Sequence, residues 1–213
     1  MSIHIRFVCQ LGKTMTNKRQ VMMEENRLRL IEAGRKAFTA QGYAAASMDE
    51  LTASVGLTRG ALYHNFGDKK GLLAAVVHQI DSAMAQKAQQ IGARKADPWE
   101  ALLAEGAAYI EMALDAEVQR IVLLDGPAVL GDPSRWPSQD SCLQSTQRAL
   151  KQLIAEERIK KVDPEAAARL LNGAALNAAL WVAASDDPGK TLPNVIEAFN
   201  ALAAGLLIAR CAQ

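Results

Sequence analysis

Thr58, Arg59, Gly60, Tyr63 and His64 crowd into one short stretch, and each has a use against a polyanion. A guanidinium can meet two acceptors on a guanine edge at once, while hydroxyl and imidazole groups can donate to phosphate oxygens. A glycine among them lets a duplex approach closely. Ser47 and Lys69 flank the stretch with a further hydroxyl and a further cation. These groups act together only if the backbone presents them on one face. Ser47-Met48-Asp49-Glu50 has the form of a capping box that opens a helix running to about Val55. Gly56 breaks that helix, and Thr58 can cap a second one over Arg59–Phe66. Leu51, Val55, Leu57, Leu62 and Phe66 then share an apolar face, leaving the polar set outside. A plain helical hairpin would have this spacing, and so would a helix-turn-helix centred on about residues 47–66. A helix facing only solvent has little reason to gather Arg, Tyr and His while keeping a glycine in its first turn. A helix facing DNA has reason to do both.

The flanking segments complete an all-α plan of about nine helices. Residues 1–24 show no sustained period and read as a flexible arm, with Met15, Met22 and Met23 as alternative starts. Ile31, Gly34 and Phe38 repeat at helical spacing from Glu25 to Gln41, and Gly42 stops that helix. Gly67-Asp68 opens a long fourth helix through Leu72, Val76 and Ile80 to about Gln89. Beyond it, Asp97-Pro98 and Asp163-Pro164 each place a capping carboxylate before a proline at the first helical position. A helix is expected from each, together with helices over about 116–124 and 138–157 and a last one from about Pro193 to Ala209. Residues 128–137 read as a loop, and no segment alternates like a strand. The domain plan is residues 25–84 for a three-helix head and 85–213 for a helical body.

Composition narrows the function. Half of the 213 residues are hydrophobic, enough for a sizeable core. The net charge of +1 conceals an asymmetry: residues 1–84 hold 11 Lys/Arg against 7 Asp/Glu, and residues 85–213 hold 13 against 16. A basic head on an acidic body suits nucleic-acid binding at one end and another task behind it. Cys9, Cys142 and Cys211 form neither a CxxC pair nor a disulfide framework, as expected of a reducing cytoplasm. The longest uncharged run, Leu170–Ser185, is 16 residues and includes two asparagines, so no membrane span is expected. No nucleophile elbow, P-loop or zinc-binding helix motif is present, and all three histidines lie in the head. An enzyme, a metal site or a resident cofactor is therefore not expected.

The string Val55-Gly56-Leu57-Thr58-Arg59-Gly60-Ala61-Leu62-Tyr63-His64-Asn65-Phe66 resembles the DNA-binding domain of the TetR family of bacterial regulators. So do Leu30-Ile31-Glu32-Ala33-Gly34, Ala37-Phe38, Gly42-Tyr43, Glu50-Leu51, Asp68-Lys69 and Leu72, so that the likeness covers about residues 25–80. Gly34, Thr52 and Val55 depart from the alanines common at those places, and His64 from a second Tyr. The resemblance implies that Arg59–Phe66 is the recognition helix, with Thr58, Arg59 and Gly60 nearest the bases. Tyr63 and His64 would contact phosphates or bases, and Ser47 and Lys69 would clamp the backbone. The implied partners are double-stranded operator DNA, a second copy of the chain, and a small-molecule effector.

The body's expected roles are an effector pocket and a homodimer contact. The pocket is expected among Trp99, Tyr109, Met112, Trp136 and Trp181, whose apolar walls suit a largely apolar molecule. The dimer contact is expected from the last two helices at Leu176, Ala179, Leu180, Phe199, Leu202 and Leu206, packed as an intersubunit bundle. The resulting expectation is a repressor that its effector releases from the operator. Its alternatives are a DNA-binding protein without an effector and a redox sensor acting through Cys142.

Overall fold

The computed structural model describes residues 3–208, with side chains from Lys18 onward. Among these residues there are nine α-helices and no strand, and the chain divides into two compact units, Met1–Val76 and Val77–Gln213. The division falls a little before the boundary expected at residue 84, inside a continuous helix.

The head contains α1 (Ile3–Ala45), α2 (Met48–Ser54), α3 (Arg59–Phe66) and the first two turns of α4 (Lys69–Gly92). α1 is helical from Ile3, within the stretch 1–24 where an arm was expected, and residues 1–2 lie outside the described residues. Periodicity was the wrong guide there. Val21, Met22, Met23 and Leu28 are all exposed, so this part of the helix buries no stripe. It needs only proline-free residues and an existing helix to propagate from. At Gly42 the backbone leaves helical geometry with φ of 77°, a left-handed value that favours glycine. Leu30, Phe38, Leu62, Leu72, Leu73 and Val76 are wholly buried and form the head's core. Gly34 is part of that fit, because a Cβ there would stand 3.1 Å from Leu72 Cδ2. The branched side chains of Leu72 and Val76 occupy the space an alanine would use.

The body continues α4 and adds α5 (Pro98–Glu111), α6 (Gly126–Leu130), α7 (Pro137–Ala155), α8 (Pro164–Ala184) and α9 (Pro188–Ala204). Asp97 and Asp163 cap α5 and α8 through the expected carboxylates. The helix expected over 116–124 is instead π-helical over Val118–Asp125. Its end explains the wider turn. Gly126 N–H donates to Ile121 O, and Pro127, which has no N–H, follows at once. The expected loop 128–137 holds the end of α6 and a 3₁₀ turn at Pro133–Arg135. α9 begins five residues before Pro193, because Asp187 caps Lys190 N–H and Pro188 occupies the first helical position. Pro193 is absorbed inside the helix. α9 also ends earlier than expected, and the chain then pairs Ile159 with Leu207 in one antiparallel bridge.

Candidate nucleic-acid interface and body cavity

The helix-turn-helix forms as the spacing required. Ser47 accepts a hydrogen bond from Glu50 N–H, and Thr58 accepts one from Ala61 N–H, so each helix starts on its own cap. Gly56 takes φ of 61° in the turn, and Leu57 N–H closes back onto Thr52 O at 2.9 Å. Thr52 is buried without loss because its hydroxyl donates within α2, to Met48 O or Asp49 O. Leu51 and Leu62 are buried against each other's helices, and Val55, Leu57 and Phe66 are half-buried on the same face.

The opposite face of α3 is open. Thr58, Arg59, Gly60, Tyr63 and His64 are all exposed, Tyr63 at 46%. Arg59 is held in place by two neighbours. Its guanidinium lies 3.4 Å from the Asp49 carboxylate and 5.7 Å above the Tyr63 ring, and it reaches toward the Tyr63 hydroxyl at 3.5 Å. These contacts, the Tyr63 bond foremost, raise its pKa further, so the charge is permanent. Lys69 is less free than the sequence implied. Its ammonium donates to Ala44 O at 3.2 Å and lies 4.8 Å over the Tyr43 ring. It therefore pins the start of α4 to the end of α1 and uses one of its three donors to do so.

Two contacts that support this surface were not expected from the sequence. Arg29 on α1 donates to Val55 O and so ties α1 to the turn between α2 and α3. Tyr43 stacks at 5.8 Å on Phe38 and supports Lys69. The Gly42-Tyr43 pair was visible as a motif, but nothing in the spacing of Arg29 pointed to a backbone carbonyl.

In the body a narrow cavity, about 620 Å³ with its open mouth included, lies among α4, α5, α7, α8 and α9. Leu102, Leu103, Leu171 and Phe199 supply apolar wall, and Glu105, Tyr109, Gln139, Cys142, Thr146 and Asn172 supply polar atoms. Phe199 can lie against α5 only because residue 106 is glycine, where a Cβ would fall 2.5 Å from the ring. Beneath the wall, Asp81 is buried and accepts from Tyr109 Oη at 3.3 Å and Gln139 Nε2 at 2.9 Å.

Residues 30–76 match the family model described as bacterial regulatory proteins, tetR family. Residues 99–206, half of the chain, match a second, described as tetracyclin repressor-like, C-terminal domain. The chain belongs to the TetR family. It is similar in structure to a TetR-family transcriptional regulator of Pectobacterium atrosepticum (ECA1819), with a TM-score of 0.82 and 47% identity over 89% of this chain and 97% of that one. It is 28% identical to the transposon Tn10 TetC protein of Escherichia coli over 68% of this chain and 73% of TetC. The HTH-type transcriptional repressor AcnR of Corynebacterium glutamicum is 32% identical over 38% of this chain and 39% of its own length. The protein is accordingly a DNA-binding transcriptional regulator and not an enzyme. Among its described residues no helix is long and apolar enough to cross a membrane.

For this TetR-family regulator the residues expected to line a pocket separate. Only Tyr109 of the five reaches the cavity just described. Trp99 belongs to the core with Leu150, Leu153 and Ala168, and Met112 is also buried. Trp136 is half-buried and covers Gly126, while Trp181 is 60% exposed. Aromatic type alone could not tell these environments apart. The dimer set separates in the same way. Leu176, Ala179 and Phe199 are buried within the subunit, Leu180 and Leu206 are half-buried, and Leu202 is 71% exposed. The apolar side chains that α8 leaves exposed are others, Leu170 at 74% exposure and Trp181. Leu170 and Leu202 flank one apolar groove between α8 and α9.

Three titrating groups at the cavity are shifted upward, Tyr109 by burial first and then by Asp81. The Cys142 thiol is pushed up to about 11, first by burial and then by Asp81 and Glu105. It stays protonated at neutral pH, which removes the support for a redox sensor at this residue. The side chain of Cys9 and all of Cys211 lie outside the described residues. Burial raises the Glu105 carboxyl above its ordinary value. A carboxyl raised on folding adds stability below its unfolded pKa and loses it as pH climbs through the folded one. Glu105→Gln should therefore melt higher than the parent at neutral pH and match it around pH 4. Thermal melts across that range check this, and a lower melting point at neutral pH would contradict it.

Proposed function

We propose that this TetR-family regulator is a homodimeric repressor that leaves its operator when a small molecule fills the body cavity. The observation that carries this reading is the course of α4. It is one uninterrupted helix from Lys69, beside the recognition helix, to Gly92, and Ala85 and Ala88 on it wall the cavity. A ligand pressing on those alanines acts on the same helix whose first turn belongs to the head. The repressor sign follows AcnR, which carries that description and is 32% identical over 81 residues. A dimer reading successive major grooves must hold its recognition helices about 34 Å apart, so a small tilt of α4 in each subunit spoils the spacing. A hundredfold preference of ligand for the released form is worth about 2.7 kcal/mol per site, enough over two sites to empty the operator.

Ligand affinity measured with and without operator DNA tests the proposal. Reciprocity requires the operator to weaken ligand binding by the factor by which ligand weakens operator binding. Equal ligand affinity in the two states would exclude induction.

A further inference from the structure

We infer that the effector of this regulator is a small organic cation, a compact amine whose charge meets Glu105. The inference rests on the reading of the cavity as the effector site and adds the chemistry of what enters it.

Glu105 is the one formally charged residue lining the cavity, and no Lys, Arg or His lines it. The carboxylate is half-buried, and among the described residues no hydrogen bond or ion pair answers it. Desolvating a carboxylate without a partner opposes folding, and a bound cation would supply the partner. Asp81 adds a second carboxylate directly behind the wall. The raised Cys142 thiol, held up partly by these two carboxylates, reports the same negative field at a third position.

Part of the uncharged polar lining has its donor hydrogens committed inward. Tyr109 Oη donates to Asp81, which leaves its lone pairs as acceptors. Gln139 gives one amide N–H to Asp81, leaving its carbonyl oxygen and its second N–H. The single hydroxyl proton of Thr146 is taken by Cys142 O at 3.0 Å or Asn172 Oδ1 at 2.9 Å. What remains for a ligand is the Glu105 carboxylate and the acceptor oxygens of Tyr109 and Gln139, beside amide N–H groups of Gln139 and Asn172, between apolar walls. The carboxylate is the one formal charge in that lining, so it favours positive charge on a hydrocarbon body and repels carboxylates and phosphates.

The test uses the full-length dimer and three shape-matched sets of ligands: benzylamine, benzyl alcohol and benzoate; phenethylamine with its alcohol and acid; and hexylamine with its alcohol and acid. Affinities are read by calorimetry on the parent, Glu105→Gln, and two cavity-filling variants, Ala175→Leu and Ala88→Leu, each checked by circular dichroism. At least one amine should bind the parent about tenfold or more tightly than its alcohol, with its acid unbound. Glu105→Gln should erase that preference while leaving the alcohol's affinity in place, and the filling variants should weaken both. Amine preference that survives Glu105→Gln, or acids binding best, would overturn the cation while the filling variants still upheld the cavity. Binding untouched by either folded filling variant would place the site elsewhere, and both readings would fall. No binding of any amine at millimolar concentration would also overturn the cation assignment.

Discussion

Arg59→Ala should lower affinity for a selected operator by about 1–3 kcal/mol, roughly tenfold to more than a hundredfold, and relax the sequence preference at one base position. The size follows from the geometry of the free protein. Arg59 is exposed at the first position of α3, and its partners there are replaceable. The pair with Asp49 is solvent-exposed and so contributes little, which makes it easy to exchange for a base edge. Tyr63 remains behind the guanidinium and limits the freedom lost on binding. Arg59→Lys should recover general affinity but not the base preference, since an ammonium cannot span two acceptors of a guanine. Competition binding against a library randomised at each operator position provides the check. Unchanged affinity and preference in Arg59→Ala would remove α3 as the reading helix.

The second large effect is expected at the apolar face of α8 and α9. Leu170→Glu and Leu202→Glu should each convert the dimer to monomer at micromolar concentration, with helical content unchanged. Both residues stand in water in the isolated subunit, so a carboxylate there leaves the fold intact. In a dimer each would be buried in an apolar seam and repeated by symmetry, at a desolvation cost of several kcal/mol per charge. Ala179→Glu makes a useful contrast: Ala179 is wholly buried within the subunit, so that variant should lose the fold as well as the dimer. Sedimentation velocity with circular dichroism separates the outcomes. A dimer that survives both leucine replacements would place the contact on another face. Operator affinity should fall with dimerisation, because one recognition helix reads only a half-site.

The head was legible in the sequence because its constraints are local. Caps, three left-handed glycines and a few apolar positions lie within residues 42–67, and each signal has one structural meaning. Even there, the tie from Arg29 to Val55 O depends on two segments meeting and left no trace in spacing. The body was legible only as helices. Which side of α8 faces inward depends on its neighbours, so Ala179, expected at a contact between subunits, is wholly buried within this one, and Trp181, expected in the pocket, is exposed. The π-helical turn before Pro127 and the start of α9 ahead of Pro193 show proline being accommodated rather than ending a helix. The cavity was missed because its polar atoms come from α5, α7 and α8, helices far apart in sequence that no local pattern connects.

The claim that residues 47–69 of a symmetric pair read DNA meets its most direct test in hydroxyl-radical footprinting on a sequence selected from random duplexes. The account predicts an inverted repeat with two protected patches centred about one helical turn apart, near 34 Å, or a whole multiple of that. It also predicts that Arg59→Ala weakens both patches together. Failure to select any sequence, or a single patch without symmetry that Arg59→Ala leaves unchanged, would contradict it.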